Sequence, residues 1–214
     1  MYGTASGVTS TRVSVTFPAP FDSIPAVFAD IITHDDPETV VPRITNITTT
    51  GFQIRVQEEE DRNAHLAESI AWVAMEEGSV TSGSKLEVRP IGNVTHAWSS
   101  FTHQQSYSNP ITIIDMQREN GGDPCALRFR PTGNGSELEV FVEEEASADT
   151  EIGHTTEPLS YLTFEEGTIY DSLGRNIGEA GVISLQQTSR DYWQSVSLAR
   201  NYTNPSVVVG PRSF

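Results

Sequence analysis

Two histidines each stand three residues before a glutamate: His65 and Glu68 in "HLAESIAWVAMEEG", His154 and Glu157 in "HTTEPLSYLTFEEG". An imidazole and a carboxylate at this spacing can form a hydrogen-bonded clasp or supply two ligands to a cation. An acidic triplet precedes each pair, Glu58 to Glu60 and Glu143 to Glu145. Strand alternation places Glu58 with Glu60, and Glu143 with Glu145, on one face. Carboxylates crowded in this way repel one another unless a positive group sits among them. Two kinds of partner fit. Calcium prefers oxygen ligands, although no EF-hand spacing is present. Arg43 and Arg128 could instead run across a sheet face and form salt bridges with the glutamates. The expectation is two local sites, each a structural clasp or a calcium site: Glu58, Glu60, His65 and Glu68 in one, Glu143, Glu145, His154 and Glu157 in the other.

A second set of polar residues lies in two short loops, "THDDPE" and "RENGGD". Hydroxyl-rich ligands are held by short polar side chains working beside an aromatic ring. On that chemistry His34, Asp35, Asp36 and Arg43, and likewise Glu119, Asn120, Asp123 and Arg128, are candidate ligand-binding residues. The plain alternative is that these are turns, which the same residue types also favour.

The elements that must position these residues are written twice as well. "FQIRVQEEE" and "LEVFVEEE" alternate apolar and polar residues, with Phe52, Ile54 and Val56, and Leu138, Val140 and Val142, facing inward. Pro25 and Pro110 each follow an aromatic and each precede an arginine by 18 residues. A further partial copy follows, with "WQSVSLARNYTNPSVVVG" repeating "WSSFTHQQSYSNPITII". Several anchors at nearly constant offset indicate an internal duplication of units near 90 residues. The runs are short, divided by turn residues, and no long stretch has helical periodicity. An all-β chain of tandem antiparallel β-sandwiches is therefore expected, with about six strands in each. The expected division is a first repeat over 8–80, a connector over 81–95, a second repeat over 96–169, and a connector with the start of a third over 170–214.

The pattern of aromatic and proline before a β-run, then "VVPRI", then "GFQIRVQ", then a last strand "WVA" before glycine resembles the H-type lectin domain. The closer likeness is to the divergent form found as tandem repeats in large secreted microbial proteins. The resemblance implies a six-stranded antiparallel β-sandwich, an extracellular or cell-surface location, glycan or polysaccharide ligands and, as in the animal lectins, trimers. Trp72 and Tyr161 match the aromatic of the family's final strand. Ala74 matches its alanine, and Thr163 departs from it.

The net charge of −16 disfavours nucleic acid, whose binders carry basic stripes. The apolar runs are strand-sized, so no membrane insertion is expected. The single cysteine, Cys125, excludes an intrachain disulfide framework. No nucleophile elbow, zinc-protease helix or phosphate-binding loop is present, and no enzyme is expected. The functional reading is a non-catalytic carbohydrate-binding module. Its rival is a structural or adhesive repeat (stalk, filament subunit or phage appendage) that binds no sugar and pairs strands with a neighbour.

Overall fold

Alternating apolar residues become strand where each inward side chain finds a second sheet to cover it. The computed structural model describes residues 1–59, 64–81, 83–132, 136–146, 150–186 and 193–210, and among them the fold is all-β with every strand pair antiparallel. The first sandwich contains β1 (Tyr2–Val8), β2 (Val13–Thr16), β3 (Ala26–Ile31), β4 (Val40–Thr45), β5 (Gly51–Glu58) and β6 (Glu68–Met75). Its two sheets run β1-β6-β3 and β2-β5-β4. Between them Phe52, Ile54 and Val56 of β5 meet Ile70, Trp72 and Ala74 of β6 in one buried cluster.

The second sandwich is built from β8 (Leu86–Val94), β9 (Ser99–Thr102), β10 (Pro110–Met116), β11 (Cys125–Thr132), β12 (Glu137–Glu144) and β13 (Glu157–Glu165). Its sheets run β10-β13-β8-β7, where β7 is Gly78–Val80, and β11-β12-β9. Leu138, Val140 and Val142 lie buried against Leu159 and Tyr161. A hairpin of β14 (Gly167–Tyr170) and β15 (Asn176–Ala180) follows.

Two boundaries differ from the sequence expectation. Residues 81–95, expected as a connector, contain the nine-residue β8, which pairs with β13 along its length. Pro90 and Gly92 made that stretch look like a turn. A register shift between Leu159 and Ser160 absorbs them, with Gly92 at φ 103°. The first sandwich likewise starts at Tyr2 rather than at residue 8, because β1 pairs with β6.

The sandwiches do not hang apart. A third buried cluster joins Ala26 and Phe28 of β3 to Val88 and Leu162 of the second sandwich. Burying side chains of this size contributes about 1.5–3 kcal/mol each, so the junction is a true packing surface.

Candidate functional site

The second His–Glu pair lies where β13 begins. Glu157 is fully buried and accepts hydrogen bonds from the Asn120 N–H (2.9 Å) and the Gly121 N–H (2.9 Å) of the preceding loop. His154 reaches Glu157 through Nε2 at 3.2 Å and Glu144 through Nδ1 at 2.8 Å. Gly121 packs against this ring so closely that a Cβ there would lie 2.4 Å from it, which is why the loop needs glycine. The remaining partner comes from the other sandwich. Arg43, on β4, is 1% exposed and inserts its guanidinium into this pocket. Nη2 donates to Glu157 at 3.0 Å and to the Gly121 carbonyl at 3.3 Å, while Nη1 donates to Cys125 Sγ at 2.6 Å.

Burial works against charge on His154, but bonds to Cys125, Glu157 and Glu144 outweigh it and raise its pKa to about 10. Both ring nitrogens then donate. Burial also opposes the Glu157 carboxylate, yet His154, the two loop N–H groups and Arg43 hold its pKa below the usual range. The pocket is a buried ion network that locks two sandwiches together, although Arg43 Nε has no hydrogen-bond partner among the described residues.

The first pair has the same core and a different completion. His65 Nε2 lies 3.0 Å from Glu68 Oε1, and both side chains are buried. Glu68 also accepts from the Asp35 N–H at 3.0 Å and from the Thr33 hydroxyl. Burial opposes its ionisation, and Thr33, His65 and Asp35 together hold its pKa down. His65 Nδ1 is buried with no hydrogen-bond partner among the described residues. Beside it stand Asp36 and Glu38, whose side chains are hydrogen-bonded to each other: the bond lowers the pKa of Asp36 and raises that of Glu38. Asp36, Glu38 and His65 are the one His/Cys/acid group among the described residues whose ligand atoms lie within 4.8 Å of one another. One imidazole with two carboxylates is a donor set that suits zinc-like ions better than the all-oxygen preference of calcium.

The glutamate that turns inward is not the same one in each acidic triplet. Glu58 is buried and accepts from the Ala64 N–H at 3.1 Å. Glu60 lies outside the described residues. Glu143 pairs with Arg128 in a half-exposed salt bridge on the outer face, and the Glu145 N–H donates to the Pro124 carbonyl at 2.9 Å. The glutamate that meets His154 is the middle one, Glu144. The pairing register explains this: Val40 lies opposite Glu58 and Cys125 opposite Glu144, so these two are the matching positions. That register also makes Arg43 and Arg128 counterparts, although Arg43 is buried in the junction and Arg128 stays on the surface.

Of the loop residues, Glu119 is bound by Arg55 at 2.6 Å and by Arg12 at 2.6 Å, both from the first sandwich. Asn120 donates its backbone N–H to Glu157 and its side-chain Nδ2 to the Thr156 carbonyl at 2.8 Å, and Asp123 is exposed. In the first loop Asp36 accepts from the Leu66 N–H at 2.9 Å, and the His34 ring lies 5.9 Å from the Trp193 ring. Trp193, which sequence reasoning left out of the site, is 75% exposed. The signal that could have flagged it was its repetition of Trp98, whose own ring is partly exposed beneath Arg130 at 4.3 Å.

Known proteins share parts of this sequence. Residues 12–75 match the H-type lectin domain. The first sandwich is similar to that family over the segment that carries β2 to β6. The chain is also 27% identical over 204 residues to Halomucin of Haloquadratum walsbyi, a match that takes in 88% of this chain and 2% of that protein's length. No solved structure matches. Among the described residues no helix is long and apolar enough to cross a membrane.

Proposed function

We propose that the chain is a non-catalytic, lectin-like module that binds glycans as part of a protein displayed outside the cell. The observation that carries this reading is an exposed indole, Trp193, lying beside His34 in a polar loop of the very segment that resembles a lectin domain. An indole face stacks on the apolar face of a sugar ring, and the neighbouring His34 and Asp35 offer partners for its hydroxyls. The net charge of −16 keeps such a surface soluble and steers it away from anionic polymers. A glycan array, run with and without calcium because Asp36 and Glu38 gather carboxylates here, tests the reading. Retention of defined glycans that is lost in Trp193→Ala is expected. An array silent in both conditions would sink it.

A second reading, a structural repeat that binds no sugar, is favoured by the buried Arg43–Glu157 junction, which makes adjacent sandwiches stiff. It would take over if the array is silent while substitution of Arg43 still weakens the fold.

A further inference from the structure

Contacts between the first and second sandwiches recur between residues 193–210 and the first sandwich. The Ala29 N–H donates to Asp115 at 2.9 Å, and the Val209 N–H donates to Asp30. These residues match in sequence: Ala29 and Val209 stand four places after Pro25 and Pro205, Asp30 and Asp115 five places after Pro25 and Pro110. Arg12 rests on Glu119, and Trp193 rests on His34. Here too the positions match. Arg12 precedes β2 as Trp98 precedes β9, and Trp193 repeats Trp98, while His34 and Glu119 lie at corresponding places in their loops. Residues 193–210 therefore stand to the first sandwich as the first stands to the second. The occupied junction has one more contact, the Arg43 guanidinium in the pocket of His154 and Glu157. Its counterpart is the pocket of His65 and Glu68.

We infer that the His65–Glu68 pocket is a preformed socket for a guanidinium group, filled by an arginine of a neighbouring sandwich of this kind seated on the side of residues 193–210. Three observations mark this pocket as incomplete. Glu68, Asp36 and Glu38 gather three carboxyl groups around one imidazole. Among the described residues no arginine or lysine pairs with any of the three. His65 Nδ1 is buried and unpartnered, whereas the matching nitrogen of His154 is held by Glu144. The sockets differ in lining. Val40 stands for Cys125 and Ile31 for Met116, so the sulfur contacts of Arg43 are lost, while Asp36 stands for Gly121 and adds a carboxylate. A planar, forked donor suits this arrangement better than a spherical ammonium.

The test titrates the 214-residue protein with ethylguanidinium chloride and follows the ring signals of His65 and His154 by NMR, also in Arg62→Ala, which removes the arginine nearest in sequence. His65 should shift saturably, ethylammonium should act at least several-fold more weakly, and Glu68→Gln should abolish the response. His154 should respond only in Arg43→Ala, where the same probe should recover part of the lost melting temperature and so calibrate the concentration needed. In a chain lengthened after Gly210 by a repeat of residues 116–186, His65 should already sit at its saturated position and return when the repeated arginine is made alanine. A His65 unmoved at the calibrating concentration, or moved equally by ethylammonium, overturns the inference. So does a saturable response to calcium or zinc chloride with none to guanidinium, which assigns the pocket to a metal ion.

Discussion

The two His–Glu pairs share a spacing, a place at the start of the last strand, and a backbone N–H from the same loop position. They part company in what arrives from outside. Glu157 receives a guanidinium and becomes the centre of a junction, whereas Glu68 receives a threonine hydroxyl and keeps two more carboxyl groups beside it. The same contrast runs through the middle of each sandwich. Trp72 sits among Phe17 and Phe52, with its indole N–H unpaired among the described residues. Tyr161 donates its hydroxyl to the fully buried Glu87 at 2.9 Å, which also accepts from the Gln104 and Gln105 N–H groups. Trp72 and Tyr161 thus hold similar places on β6 and β13 and differ in the polarity of their surroundings. A duplicated motif specifies a place in the fold, and its neighbours decide the chemistry.

Breaking the occupied junction should have the largest effect. Arg43→Ala leaves the buried Glu157 carboxylate without its guanidinium partner, and such losses cost about 3–5 kcal/mol. Its counterpart Arg128→Ala removes an exposed pair and should stay within about 1 kcal/mol of the parent. Urea unfolding of both variants measures the contrast; equal losses would mean the junction adds nothing. The next effect is one of pH. His154 is raised from 6.5 to about 10, so its contribution is complete below pH 6.5 and is lost as pH rises through about 10. A tenfold gain in proton affinity on folding is worth about 1.4 kcal/mol, so the melting temperature should fall across that window. His154→Gln should flatten the slope while lowering stability at pH 6.

A smaller effect is expected at the centre of the second sandwich. Tyr161→Phe removes one of three donors to Glu87 and should cost about 1–2 kcal/mol, the usual penalty for under-satisfying a buried acceptor. An unchanged urea midpoint would show that Glu87 is satisfied without the phenol.

Much of the fold was legible because alternation is local. Phe52, Ile54, Val56, Leu138, Val140 and Val142 are all buried, as their period of two requires. The first strand of each sandwich was not legible, since "YGTASGV" and "LEVRPIGNV" carry glycine and proline, which are unfavourable within a strand. Their strand character comes from β6 and β13, which lie far away in sequence. The candidate site was half legible. The repeated spacing located His65, Glu68, His154 and Glu157, but Glu144 escaped because alternation counted from the triplet and not from its partner strand. One of the readings open for Arg43 was a salt bridge with its own sheet's glutamates. It crosses instead to a carboxylate 114 residues away, a contact no local pattern encodes.

The smallest expected effect concerns the two aspartates that bind backbone across the junctions. Asp115 accepts from the Ala29 N–H, and burial raises its pKa to about 7; Asp30, with Val209 as its donor, is raised to about 6. Burial is the largest cause in both, and the charge of Asp30 adds to the rise at Asp115. A carboxyl whose folded pKa lies above its ordinary 3.8 favours the fold while protonated, and that advantage disappears as pH rises through about 7. Asparagine keeps an oxygen for the Ala29 N–H without the cost of a charge in a poorly solvated place. Asp115→Asn should therefore melt like the parent at pH 4 and be the more stable of the two at pH 8. Asp30→Asn should show a smaller gain with its midpoint at lower pH, because its carboxyl is raised only to about 6. Melting curves at pH 4, 6 and 8 decide it. A loss at pH 8 in Asp115→Asn would mean that the charge itself, drawn by Arg43, holds the sandwiches together at this point.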